Sequence, residues 1–122
     1  MRALIPFLFW ILAIIHIIPA LSALAPSRMA ALYGIGTENK ALMTLLQHRA
    51  VLFGLVAAAC VFAAYNSAVR WSVLIATIIS MASFIIIAVP RGQLSGSLAK
   101  IAYVDGIGLI IAAALAVSLL RT

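Results

Sequence analysis

The chain has 122 residues, of which 67% are hydrophobic and only 8% are charged. A soluble domain normally carries about 25% charged residues. The composition therefore excludes a soluble domain and indicates an integral membrane protein. The net charge is +6, but the Lys and Arg residues are dispersed. This spacing argues against nucleic-acid binding and favours contact with anionic lipid headgroups.

Four apolar segments are each long enough for a membrane-spanning helix, which needs about 20 residues. The predicted spans are 4–25, 42–66, 71–89 and 101–120. An interfacial loop over 26–40 separates the first two spans, and polar breaks separate the others. The sequence therefore predicts an all-α integral membrane four-helix bundle. It is a single transmembrane domain over 1–122, with both termini on the same side of the membrane.

The first segment has two interpretations. Arg2, the apolar run and Ala23-Leu24-Ala25 resemble a signal peptide with its cleavage site. However, the apolar run is longer than a usual signal core, and Pro26 would follow the cut directly. We therefore expect the segment to be retained as the first span.

The loop over 26–40 contains signals for local structure. Residues 27–33 are predicted to form a short helix, followed by a turn at Gly34 and Gly36. Thr37 is the predicted N-cap of the second long helix, with Glu38 in its first turn, where the helix dipole favours an acidic side chain. We interpret the loop as an interfacial linker, and a re-entrant or gating loop is the alternative.

Small residues recur every four positions in three of the spans. Such stripes allow helix backbones to approach closely in lipid, so they predict a compact bundle. Cys60 is the only cysteine and lies in an apolar segment, which predicts a buried structural thiol. The stripes are Gly54 and Ala58; Ser72, Ala76 and Ser80; and Gly108, Ala112 and Ala116.

A candidate intramembrane polar cluster consists of His16, His48, Arg49 and Asp105. Asp105 is the only acidic residue inside a span, where a carboxylate requires a partner. The second and fourth spans begin on the same side, so Arg49 and Asp105 are predicted to form an ion pair. Two alternatives remain open. Gln47 and Arg49 extend into the headgroups, or the cluster is a catalytic or transport site.

His16 lies near the middle of the first span, three residues before Pro19. Proline has no backbone N–H, so it leaves the carbonyl of Ile15 without its helical donor and favours a kink. We predict a neutral imidazole that bonds a neighbouring helix; contact with a ligand and proton relay are the alternatives. The histidines and Asp105 lie on three different helices without metal-ligand spacing, so the sequence predicts no metal. It has no GxSxG motif and no phosphate-binding glycine loop, and we expect no cofactor and no catalytic residue.

The second span opens with "LLQHRAVLFGL" (45–55), after a long first loop. This layout resembles the DoxX-like and related uncharacterised four-span families of small bacterial membrane proteins. The resemblance covers most of the chain as architecture, and as a motif it rests on "QHRAVLFG". It implies a location in the bacterial cytoplasmic membrane and no particular activity.

We therefore expect a non-enzymatic accessory, scaffold or lipid-binding protein. Its expected partners are the lipid bilayer and either another membrane protein or a second copy of the chain. One alternative is a small oligomeric transporter, although such transporters are expected to have an acidic residue in the first span, where this chain has His16. The other is a lipid- or quinone-modifying enzyme that uses His16, His48 and Asp105.

Overall fold

The structure of the protein is a computed structural model that describes residues 3–21, 24, 25, 27, 38–90, 92 and 97–122. The described part of the chain contains four long helices: α1 (Leu4–Leu21), α2 (Lys40–Tyr65), α3 (Arg70–Ala88) and α4 (Ser97–Leu120). A 3-10 turn over Ser67–Val69 joins α2 to α3. All four helices are long and apolar enough to cross a membrane. The predicted all-α four-helix architecture is confirmed.

The start of α2 differs from the prediction. Asn39 precedes the helix in an extended conformation, and its side chain accepts a hydrogen bond of 3.0 Å from the backbone N–H of Leu42. The prediction of Thr37 as the N-cap is therefore wrong, because Asn39 satisfies that end of the helix and Glu38 precedes it. Apart from residue 27, the short helix predicted over 27–33 and its following turn lie outside the described residues.

The helices form a ring in which each packs against its neighbours in sequence, and α4 closes the ring against α1. The most extensive contact is between α1 and α2. These two helices run antiparallel, since Trp10 bonds Tyr65 while Ala20 lies near Gly54.

The α1–α2 contact combines bulky side chains with small ones. The buried residues of α1 follow helical spacing and include large apolar side chains together with His16. Those of α2 are, with one exception, alanine or cysteine, so the two backbones approach closely. The buried residues are Ile5, Leu8, Phe9, Leu12, Ala13 and His16 of α1, and Met43, Ala50, Ala57, Cys60, Ala63 and Ala64 of α2.

The predicted small-residue stripe of α4 is confirmed, since Gly108 and Ala112 are buried. The stripe predicted for α3 is wrong, because Ser72 and Ala76 are exposed. The buried face of α3 instead comprises Leu74, Thr77, Met81 and Ala88. In α2, Gly54 is half-buried but Ala58 is exposed. In a helix that is apolar all round, four-residue spacing does not indicate which side faces the other helices.

The α2–α3 hairpin is stabilised by Arg70. Its Nε donates to the carbonyl of Ala63 and its Nη2 to that of Ala64, both at 2.9 Å. These carbonyls lie in the last turn of α2, where intrahelical donors are missing. A basic side chain at this end of a helix also interacts favourably with its dipole.

Cys60 is buried, as predicted. Its Sγ lies 3.6 Å from Oγ1 of Thr77 on α3. The Thr77 hydroxyl donates to the carbonyl of Val73 at 2.8 Å, so the thiol is the donor in the contact between Cys60 and Thr77. This contact links α2 to α3 inside the core.

Replacing Gly108 with leucine is expected to destabilise the bundle. A Cβ at this position would overlap the thioether of Met81, which is itself buried. Overpacking of this kind typically costs ~1–3 kcal/mol. The matched control is Ala76→Leu, at an exposed position of α3. Thermal unfolding in detergent should show a lower midpoint for Gly108→Leu and an unchanged one for the control; equal midpoints would contradict the assigned helix faces.

Candidate functional site

An apolar cavity of about 190 Å³ lies between α1, α2 and α4. Two residues on its wall, Ile18 and Val104, are exposed by 65% and 45%. The cavity therefore opens between α1 and α4 onto the surface that faces lipid in a membrane. Its polar or aromatic lining residues are His16, Phe53, Lys100 and Asp105.

His16 is the most deeply buried polar group of this cavity, with only 2% of its surface exposed. Its Nδ1 lies 2.8 Å from the carbonyl oxygen of Leu12. A carbonyl only accepts hydrogen bonds, so the proton is on Nδ1. The predicted bond to a neighbouring helix is wrong, because the ring reaches a carbonyl one turn back in its own helix. It contacts α2 through the ring of Phe53, edge to face at 5.8 Å between centroids.

The second ring nitrogen of His16 is available to the cavity. In the neutral ring with Nδ1 protonated, Nε2 carries a lone pair and accepts hydrogen bonds. Within the described ranges, no residue bonds this atom, and the ring lines the cavity. Ile15 and Pro19 line it as well, and Pro19 lacks the N–H that would normally bond the Ile15 carbonyl. The Ile15 carbonyl therefore lacks its helical donor in the same turn of α1 as His16.

Arg49 lies on α2, on the other side of Phe53 from this cavity. Its guanidinium carbon is 4.9 Å from the ring centroid of Phe53 and 5.3 Å from that of Phe84 on α3. Both distances are within the range of cation–π attraction. A second cavity of about 340 Å³ lies here, lined by Arg49, Phe53, Ser80, Ser83 and Phe84 among others. Phe53 is thus the wall that the two cavities share.

Asp105 is half-buried on α4 and lines the first cavity. The positive charge of Arg49 acts on its carboxylate, so the structure brings these two residues within electrostatic reach at one end of the bundle. A direct hydrogen-bonded ion pair between them stays a prediction, which the contacts of the guanidinium with the two rings do not test.

The four residues of the predicted polar cluster are thus distributed over two cavities and the protein surface. His16 and Asp105 line one cavity, Arg49 lines the other, and His48 is exposed. Among the described residues, no group of three His, Cys, Asp or Glu side chains is placed to hold a metal ion.

Sequence reasoning missed Phe53 and Lys100. Phe53 follows Arg49 by four residues, the spacing at which side chains of one helix meet, and this signal would have identified it. Lys100 lies outside the predicted fourth span, but α4 begins earlier, at Ser97. Its inclusion in the cavity wall follows from that earlier start.

No known family model matches the chain, and neither the curated proteins nor the solved structures include one that is detectably similar. The resemblance to four-span bacterial families therefore stays a prediction.

A double-mutant cycle with Arg49→Met and Asp105→Leu tests the interaction of the two charges. We expect the two substitutions to be non-additive in thermal stability measured in detergent. Residues coupled in this way typically show interaction energies of about 0.5–3 kcal/mol. The double variant should therefore lose less stability than the two single variants lose together. Additive losses would show that the charges of Arg49 and Asp105 do not stabilise the bundle by acting on each other.

Proposed function

We propose that this chain is a small, non-enzymatic integral membrane protein that binds a lipid-like molecule in the cavity between α1, α2 and α4. The observation that carries the proposal is an apolar cavity that opens between two helices and has a buried imidazole on its wall. Binding sites for small apolar molecules are typically concave and apolar, with a few placed polar groups.

The size of the cavity supports a ligand that is only partly enclosed. An apolar cavity of roughly 150 Å³ suffices for benzene, and this one measures about 190 Å³. It therefore has room for a head group or a short length of chain. The rest of the ligand would extend past Ile18 and Val104 into the bilayer.

The character of the walls favours binding over transport or catalysis. Transported polar substrates require a polar pathway, whereas most residues around this cavity are apolar. The enzyme alternative requires His16, His48 and Asp105 together, and His48 is exposed and is not part of the cavity wall.

The proposal includes the bacterial cytoplasmic membrane as the location of the protein. Four apolar helices support this assignment, since the proteins that span the bacterial outer membrane are typically β-barrels with weak hydrophobic segments. An accessory role beside another membrane protein, or in a homo-oligomer, is compatible with binding of a lipid-like molecule and belongs to the same proposal.

Filling the cavity should abolish ligand retention. The substitution is Val104→Trp, at a partly exposed position of the cavity rim. The matched control is Val117→Trp, on the same helix at a similar exposure of 48%. Native mass spectrometry of protein extracted in mild detergent should show a bound molecule on the unchanged protein and on Val117→Trp, but not on Val104→Trp. An absence of any bound species on the unchanged protein, or equal retention by both variants, would contradict the proposal.

A further inference from the structure

The buried wall of the cavity offers a hydrogen-bond acceptor. Nδ1 of His16 donates to the carbonyl of Leu12, so Nε2 of the neutral ring is an acceptor. The ring is neutral because burying a cation is costly, and the two groups that it contacts, the Leu12 carbonyl and the Phe53 ring, carry no charge. The carbonyl of Ile15, in the same turn of α1, is deprived of its helical donor by Pro19.

The cationic donors lie away from this wall. Lys100 contributes to the cavity but is exposed, which places it where its ammonium group reaches the membrane surface. Arg49 lines the cavity on the other side of Phe53. A ligand that enters between α1 and α4 therefore meets one cationic donor, Lys100, and the half-buried carboxyl group of Asp105 on the α4 side. On the α1 side it meets the uncharged imidazole of His16.

From this arrangement we infer that the ligand is an apolar molecule whose head group donates a hydrogen bond, namely an uncharged hydroxyl, to Nε2 of His16. The inference rests on the proposed function and specifies its ligand. A ketone, ester or ether oxygen at the same place would face another acceptor, and both groups would lose their bonds with water without replacement. A hydroxyl satisfies the imidazole and still accepts from another group.

The test compares two photo-crosslinking probes that differ in one donor: a diazirine-bearing dodecanol and its methyl ether. Both are added to the full chain in phosphatidylcholine vesicles, because this lipid has no hydroxyl in its head group. Crosslinks are mapped by mass spectrometry to the segments around Ile18 and Val104. We expect the alcohol to label these segments roughly tenfold more than the ether, the ratio that one net hydrogen bond provides.

Two histidine variants assign the preference to one ring. His16→Phe keeps an aromatic ring beside Phe53 but removes the acceptor, and it should label equally with both probes. His48→Phe, at an exposed position, is the matched control and should keep the preference. Equal labelling of the unchanged protein by alcohol and ether would overturn the inference, as would a preference that persists in His16→Phe. If His16→Phe does not fold, the comparison of probes on the unchanged protein still decides.

The failure of this inference is distinguishable from failure of the proposed function. Saturable labelling by both probes to the same extent leaves lipid binding in place and overturns the hydroxyl assignment. Labelling by neither probe overturns both the inference and the proposed function.

Competition experiments then distinguish the possible sources of the hydroxyl. Displacement of the alcohol probe by dioleoylglycerol indicates an aliphatic hydroxyl, and displacement by decylhydroquinone indicates a phenolic one; either result supports the inference, and displacement by neither contradicts it.

Discussion

Close packing of α1 against α2 is the contact on which the rest of the bundle depends. It is the most extensive interface between two helices, and it pairs the large buried side chains of α1 with the mostly alanine and cysteine face of α2. Lipid supplies no hydrophobic drive for helices to associate, so packing of this kind and interhelical polar contacts must provide it. One such polar contact joins this pair, because the indole N–H of Trp10 on α1 donates to the hydroxyl of Tyr65 at the end of α2.

His16 belongs to the same buried face of α1, seven residues after Phe9 and four after Leu12. Its place in the core follows from that spacing, and its orientation follows from the bond to Leu12. The Ile15 carbonyl belongs to the same turn and lacks its usual donor because residue 19 is proline. One short segment of α1 thus packs closely against α2 and also presents the imidazole of His16 to a cavity.

Composition and segment length were sufficient to predict the four helices, because a membrane forces the backbone to satisfy its hydrogen bonds within each span. The orientation of each helix about its own axis was harder to predict. When both lipid and protein faces are apolar, hydrophobic periodicity carries little information, and the four-residue stripe of Ser72 and Ala76 pointed to the exposed side. The proximity of the candidate residues could be predicted only in part. His16 and Asp105 line one cavity, but Arg49 packs on Phe53 and Phe84, and these contacts depend on the relative placement of α2 and α3.

The central claim is that His16 is held inside the bundle as a hydrogen-bond acceptor. The most direct test is the ¹⁵N NMR spectrum of its ring in lipid bilayers, recorded on a His48→Asn variant in which His16 is the remaining histidine of the two. The account predicts a proton on Nδ1 and a lone pair on Nε2. The ¹⁵N chemical shift of Nε2 should move toward the hydrogen-bonded range when a long-chain alcohol is added. A ring protonated on Nε2, or on both nitrogens, would contradict it.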